Sequence, residues 1–116
     1  MLFRMAAKTP YLGEFEQLLL LAVLQCGNDA YAVPIRKTLE ARTGRRASRG
    51  AVHTSLDRLE TKGLLASRMG EPLAVRGGRA RRYYALTRDG LVALRAARLA
   101  LRTLSSGLES LLDLHP

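Results

Sequence analysis

The stretch SRGAVHTSLDRLETKG, residues 48–63, decides the fold. Val52, Leu56 and Leu59 recur at helical spacing and predict a short helix with one apolar side. The first residue of the stretch is a good N-cap and the last, a glycine, is a good terminator. Small or polar residues that can approach a DNA groove lie near the start of this helix, around its other side, and they are Ser48, Arg49, Gly50, His53 and Thr54.

Two more helices are predicted before this stretch. Residues 12–25 are apolar on almost every side and indicate a helix that needs partners on two sides. Pro34 fits the first turn of a second helix, in which Ile35 and Leu39 form the inner face. Gly44 is a C-cap signal for this second helix. We therefore expect three short helices separated by short turns.

Two β-compatible runs follow, at residues 64–69 and 81–86, and flank a loop rich in Pro, Gly and Arg. They predict a hairpin with a cationic tip. Guanidinium groups bind phosphate well and a loop carries little base information, so phosphate contact is the expected role of its arginines. These arginines are Arg76, Arg79, Arg81 and Arg82.

A last helix is predicted after Thr87, which is a suitable N-cap. Its leucines follow the 3,4 spacing of a helix that packs on another helix. A mid-helix Gly costs about 1 kcal/mol relative to Ala, so a kink or fraying is expected at residues 105–107. This seam could pack within the monomer, but with the apolar first helix it favours a dimer interface. The residues assigned to that interface are Phe15, Leu18, Leu19, Leu94, Leu101, Leu104, Leu108 and Leu111.

Positive charge is concentrated in the middle third of the chain. Residues 36–88 hold fourteen Lys or Arg against four acids, while the flanks are nearly neutral and the whole chain carries +9. A segment with this balance is expected to face a polyanion. A charge run can also be only a solvated face, and at least one of the hairpin arginines could have that role.

The remaining composition excludes several classes of protein. The single Cys26 cannot form an intramolecular disulfide and no zinc-ligand spacing occurs, so we expect no metal or cofactor, a small packed thiol and a reducing cytosol. The longest apolar run, residues 18–24, falls far short of the roughly 20 residues of a membrane span. No nucleophile, base and orienting acid occur together, so we do not expect an enzyme.

Residues 48–65, followed by GGRARRYYALT at 77–87 and by Gly90, resemble the PadR family of bacterial transcriptional regulators. The resemblance covers roughly residues 12–112, and the single helix after the hairpin is similar to the short-tailed subgroup. It implies a winged helix-turn-helix, mainly α with a small β-hairpin and a C-terminal dimerisation helix. The implied parts are an N-terminal arm at 1–11, a DNA-binding domain at 12–87 and the dimerisation helix at 88–116.

The resemblance further implies a homodimer whose paired recognition helices and wings bind a palindromic operator. Members of this family usually act as repressors that a small molecule releases. The sequence departs from the family pattern at Ala32, Arg49 and His53. Two of these departures lie on the recognition helix, so the base preference of relatives does not carry over.

Two functions are compatible with the sequence. The first is a cytoplasmic, dimeric, sequence-specific regulator that binds double-stranded DNA. The second is a nonspecific basic module that binds RNA or coats the nucleoid. Both would attract nucleic acid through the same charge, but only the first would prefer one duplex sequence over another.

Overall fold

A computed structural model describes residues 11–72 and 80–113 of the chain. Its helices and strands follow the predicted order of three helices, a hairpin and a last helix. The helices are α1 (Glu14–Cys26), α2 (Ala32–Thr43), α3 (Arg49–Thr61), α4 (Arg88–Ser105) and α5 (Glu109–Leu112), and the strands are β1 (Leu65–Met69) and β2 (Arg82–Leu86). We call the β1–β2 hairpin the wing. Within the described ranges, no helix is long and apolar enough to cross a bilayer.

Helix α1 lies at the centre of the fold and contacts α2, α3, α4 and β2. Leu19, Leu20 and Val23 are buried among these elements. The neighbours cover most sides of α1, which explains why its sequence is apolar nearly all round. Leu21 and Leu24 remain exposed, so one strip of this helix has no partner within the described part of the chain.

The turn between α2 and α3 is fixed by local hydrogen bonds. Gly44 ends α2 with a φ of 73°, the left-handed conformation that glycine adopts without strain. The Glu40 carboxylate accepts a hydrogen bond from the Ala47 N–H at 3.2 Å. The Ser48 hydroxyl oxygen accepts one from the Ala51 N–H at 3.0 Å. The predicted C-cap and N-cap are confirmed, and together these bonds set where α3 starts.

The wing is attached to the helices through its second strand. Strands β1 and β2 pair antiparallel, with Ser67 opposite Tyr84. The Tyr84 N–H donates a hydrogen bond of 2.8 Å to the carbonyl oxygen of Ala30, which precedes α2. The Tyr84 side chain is buried, while Tyr83 lies near the surface, as strand alternation predicts. Burial, together with the nearby Asp57 carboxylate, raises the pKa of the Tyr84 phenol.

Helix α3, the wing and α4 meet at one junction. Gly63 follows α3 with a φ of 80°, and the Thr87 hydroxyl oxygen caps α4 by accepting a hydrogen bond from the Gly90 N–H at 3.0 Å. The same hydroxyl donates to the Gly63 carbonyl at 2.6 Å, and the Thr87 N–H donates to the Leu64 carbonyl at 3.1 Å. A Cβ on Gly90 would overlap that Leu64 oxygen. The predicted terminator and cap therefore also form the contact between the three elements.

Helix α4 leaves the core about halfway along its length. Leu94 is only 3% exposed, but every side chain from 98 to 104 is exposed. The helix ends at Ser105, and Gly107 follows with a φ of 89° before the short α5. The predicted break at residues 105–107 is confirmed.

Two leucines that the sequence assigns to a dimer interface lie instead in the core of the single chain. Leu19 has no exposed surface and Leu94 only 3%, because α1 is covered by the chain's own elements. Phe15 and Leu18 are half-buried and pack against the same core. The assignment of Leu19 and Leu94 to a dimer interface is therefore corrected, because both side chains are buried within the single chain.

Glu16 connects α1 to the end of α3. Its carboxylate accepts hydrogen bonds from the Lys62 ammonium at 2.7 Å and from the Gly13 N–H at 3.0 Å. Burial works to raise the pKa of this carboxyl, but the two hydrogen bonds and the positive charges of Lys62 and Arg58 outweigh it and lower the pKa. Folding therefore favours the ionised form. Its contribution to stability is present above the unfolded-state pKa and is lost as the pH falls through the folded-state pKa.

We expect Gly90→Ala to destabilise the protein by about 1 to 3 kcal/mol, because the added methyl must displace the Leu64 backbone. Gly50→Ala is the matched control, since a Cβ there meets nothing within 4 Å and lies in a helix. The control should be neutral or stabilising by up to about 1 kcal/mol. Urea unfolding of both variants measures the difference in the free energy of unfolding. Equal stabilities would contradict the close packing of Gly90 on Leu64.

We expect Glu16→Gln to lower the melting temperature at neutral pH, because the ionised carboxylate holds two helices together. The difference from wild type should shrink as the pH falls through and below the carboxyl range. Glu14→Gln is the control, since Glu14 forms a more exposed ion pair with Arg45 and such pairs contribute little. Thermal unfolding across acid and neutral pH checks this, and a difference that is constant with pH would argue against it.

Candidate nucleic-acid interface

The outward face of α3 is polar, and its residues are small apart from Arg49 and His53. Its inward residues Val52, Leu56 and Leu59 are buried, which fixes the rotation of the helix. The predicted contact residues are all exposed, and they are Ser48, Arg49, Gly50, His53 and Thr54. The fold leaves open space at Gly50, so the missing side chain there serves no packing need. It leaves the start of α3 accessible to a close-approaching backbone.

Arg82 extends this surface onto the wing. Its guanidinium donates a hydrogen bond to the Ser67 hydroxyl oxygen at 3.0 Å, and that hydroxyl donates to the Glu60 carboxylate at 2.6 Å. Glu60 lies on α3, so this chain of bonds links the wing to the recognition helix. Of the other predicted wing arginines, Arg76 and Arg79 lie outside the described residues.

Arg81 stacks on an aromatic ring. Its guanidinium carbon lies 4.3 Å from the centroid of the Tyr31 ring, at the start of α2. Within the wing, the guanidinium carbon of Arg68 lies 4.6 Å from the Tyr83 ring centroid. Both are cation–π distances. Arg81 is thus half-buried and held in place, unlike the exposed Arg82.

Two open grooves flank α3, and His53 lines both. One, of about 420 Å³, lies between α3 and the wing strand, and its lining is Tyr31, Ala32, His53, Asp57, Arg81, Arg82 and Tyr84. The other, of about 220 Å³, lies between the starts of α2 and α3, and its lining is Ala32, Val33, Arg36, Arg49, Val52 and His53. The structure therefore brings the predicted residues of α3 and those of β2 to one surface.

Sequence reasoning missed Arg36, which faces Arg49 across the smaller groove. Its position as the first cation of the basic segment was the available signal. The guanidinium lies 3.6 Å from the Glu40 carboxylate, which also holds the turn before α3. Arg36 therefore pairs with the carboxylate that holds the turn and lies beside α3.

The ion pairs leave the candidate surface cationic. Within residues 11–72 and 80–113, salt bridges join Arg36 to Glu40, Arg45 to Glu14 and Lys62 to Glu16. Arg49, Arg81 and Arg82 take no part in these pairs. Their charges are thus available at the grooves, where they can attract phosphate.

Comparisons with known proteins agree with this geometry. The sequence profile of the "Transcriptional regulator PadR-like family" matches residues 20–96. A search of curated protein sequences gives no match. Similar solved structures include a PadR family regulator from Eggerthella lenta DSM 2243, with 28% identity, a TM-score of 0.63 and coverage of 88% of each chain.

Two further structures show the same fold at lower identity. A PadR family regulator from Clostridium difficile R20291 has 24% identity and a TM-score of 0.68 over 85% of this chain and 99% of that chain. A PadR-like transcription factor from Bacteroides fragilis has 22% identity and a TM-score of 0.68 over 94% of this chain and 96% of that chain.

Helices α2 and α3, followed by a hairpin with cationic side chains, define a winged helix-turn-helix protein, a class that binds DNA. The family profile covers more than half of the sequence. The chain belongs to the PadR-like family of transcriptional regulators, and the resemblance found in the sequence is confirmed. This is a family of regulators rather than of enzymes.

Proposed function

We propose that this protein binds double-stranded DNA sequence-specifically, as a homodimer on a palindromic operator, and represses transcription there. The observation that supports DNA binding most directly is the exposed polar face of α3, continuous with the cationic strand of the wing. An α-helix of this kind fits the major groove, and the wing then reaches the adjacent backbone. The net charge of +9 would add long-range attraction to the duplex.

The two elements would supply different kinds of binding energy. On α3, Arg49, His53 and Thr54 carry groups that can reach base edges, while Ser48 and Gly50 allow close approach. The wing arginines would contact phosphates and contribute affinity without sequence preference. The set assigned to this role is Arg76, Arg79, Arg81 and Arg82.

Dimerisation is supported by apolar surface that the single chain leaves in water. Leu101 is 63% exposed and Leu104 is 83% exposed, on a stretch of α4 that has left the core. A helix draws most of its stability from packing an apolar face, and a row of exposed leucines marks an interaction surface. The unpartnered Leu21 and Leu24 on α1 add to this surface. Release by a small-molecule effector stays a prediction of the family resemblance.

We expect substitutions on α3 and on the wing to affect binding differently. Thr54→Ala and His53→Ala should weaken binding to the preferred duplex more than to a scrambled duplex, by about 1 to 3 kcal/mol for a good base contact. Arg79→Ala should weaken both duplexes by similar factors and lower the slope of log affinity against log salt by about one unit per protomer. Binding isotherms at several salt concentrations measure both effects.

The alternative function, nonspecific binding, predicts a different effect of the α3 substitutions on affinity. A module that coats RNA or the nucleoid would lose the same affinity on both duplexes for every α3 variant. Such a result would contradict the sequence-specific regulator and favour the nonspecific module. A wing variant that changes the preferred sequence would contradict the assignment of phosphate contact to the wing.

We expect Leu104→Asp to convert a wild-type dimer to a monomer, because a carboxylate buried without a partner costs several kcal/mol. The monomer fold should survive, since the Leu104 side chain is exposed within the single chain. Thr103→Asp places the same charge on the neighbouring residue, which projects about 100° away around α4, and should leave the dimer intact. Light scattering at micromolar concentration measures the molar mass of each variant. A wild-type mass equal to one chain would contradict the proposed dimer.

A further inference from the structure

Tyr31 joins the start of α2 to the wing through contacts of its aromatic ring with Arg81 and Tyr83. It occupies the N-cap position of α2, where its side chain makes no capping hydrogen bond. The guanidinium carbon of Arg81 lies 4.3 Å from the Tyr31 ring centroid. The Tyr83 ring packs edge-on, with centroids 5.6 Å apart and an angle of 70° between the planes. The Tyr31 hydroxyl takes part in neither contact.

The Tyr83 ring is itself held in place by β1 and the residue that follows it. The guanidinium carbon of Arg68 lies 4.6 Å from the Tyr83 ring centroid. Gly70 packs closely on the same ring, since a Cβ on Gly70 would lie 2.6 Å from the Tyr83 Cε2. The Gly70 N–H also donates a hydrogen bond of 2.7 Å to the Arg81 carbonyl. Tyr31 therefore rests against a part of the wing that is already fixed.

Arg81 lines the groove between α3 and the wing together with His53 and Asp57 of the recognition helix. A cation–π contact supplies no hydrogen-bond acceptor, so the Tyr31 ring does not satisfy the N–H donors of the Arg81 guanidinium. Arg81 takes part in none of the ion pairs of the described residues. A free arginine side chain loses much conformational entropy when it binds a ligand. An arginine that is already held in place loses less of this entropy.

We propose that Tyr31 is a positioning residue that holds Arg81 ready for a DNA phosphate beside the recognition helix. This inference rests on the proposed DNA binding and adds a residue to it. The aromatic ring of Tyr31 is the part that acts, because both contacts are made by the ring. Arg81 is then the phosphate-binding group, and Tyr31 acts through it without contacting DNA.

The test is a double-mutant cycle in the full chain, measured as affinity for the duplex that the wild-type protein selects from random DNA. Tyr31→Leu and Arg81→Ala should each weaken binding about three- to tenfold, as expected for loss of a cation–π contact or of the phosphate contact it supports. The double variant should bind no more weakly than Arg81→Ala alone. Tyr31→Phe should bind like wild type, because it keeps the ring.

Arg68→Ala is the matched control, since it also removes one charge and one cation–π contact from the wing. Arg68 lines a different cavity, with Gly27 and Asn28 and without any residue of α3. Its effect on affinity should be smaller than that of Arg81→Ala, because no residue of α3 lines the cavity beside Arg68. Thermal unfolding of each variant separates a binding defect from a folding defect.

Several results would overturn the proposal. If the Tyr31→Leu variant binds DNA as tightly as the wild-type protein, Arg81 does not depend on the Tyr31 ring. Equal losses for Tyr31→Phe and Tyr31→Leu would assign the effect to the hydroxyl, and additive losses for Tyr31→Leu and Arg81→Ala would show independent roles. Failure of the wild-type chain to bind any duplex would instead refute the proposed function itself, which keeps the two failures distinguishable.

Discussion

The hydrogen bonds of Thr87 with the backbone of Gly63, Leu64 and Gly90 are the contacts on which the rest of the structure depends. They determine together where α3 ends, where the wing begins and where α4 starts. A larger residue at position 90 would have to displace the Leu64 carbonyl, which occupies the space that a Cβ would need. Helix α3, the wing and the start of α4 are therefore held together at one point. If α4 pairs with a second copy, the same junction sets the distance between the two recognition helices.

The candidate interface depends on a division of charge around this junction. Lys62 pairs with Glu16 and links the end of α3 to α1, while Arg45 forms a more exposed pair with Glu14. Arg49, Arg81 and Arg82 are left for the grooves beside α3, and Arg81 is further held by the Tyr31 ring. The basic segment is therefore not one uniform solvated face. Some of its cations stabilise the fold, and others form a surface suited to a polyanion.

Local signals in the sequence were enough to predict the elements and most of the candidate surface. The caps at Gly44, Ser48 and Thr87 act over a few residues, so they can be identified without knowledge of the fold. The side of α1 that meets the core could not be identified, since its leucines surround the helix and packing alone separates Leu19 from Leu21. Contacts between distant segments, such as Arg81 with Tyr31, leave no periodic trace in the sequence.

Selection of bound duplexes from a random pool tests the central claim of sequence-specific, symmetric recognition most directly. The proposed homodimer would pair two copies of α3 and therefore predicts an enriched sequence with two-fold symmetry. Its half-sites should be centred about one helical turn, roughly 10 base pairs, or a multiple of it apart. A pool that shows no enriched sequence after repeated rounds, despite tight binding, would contradict the claim and leave only nonspecific association.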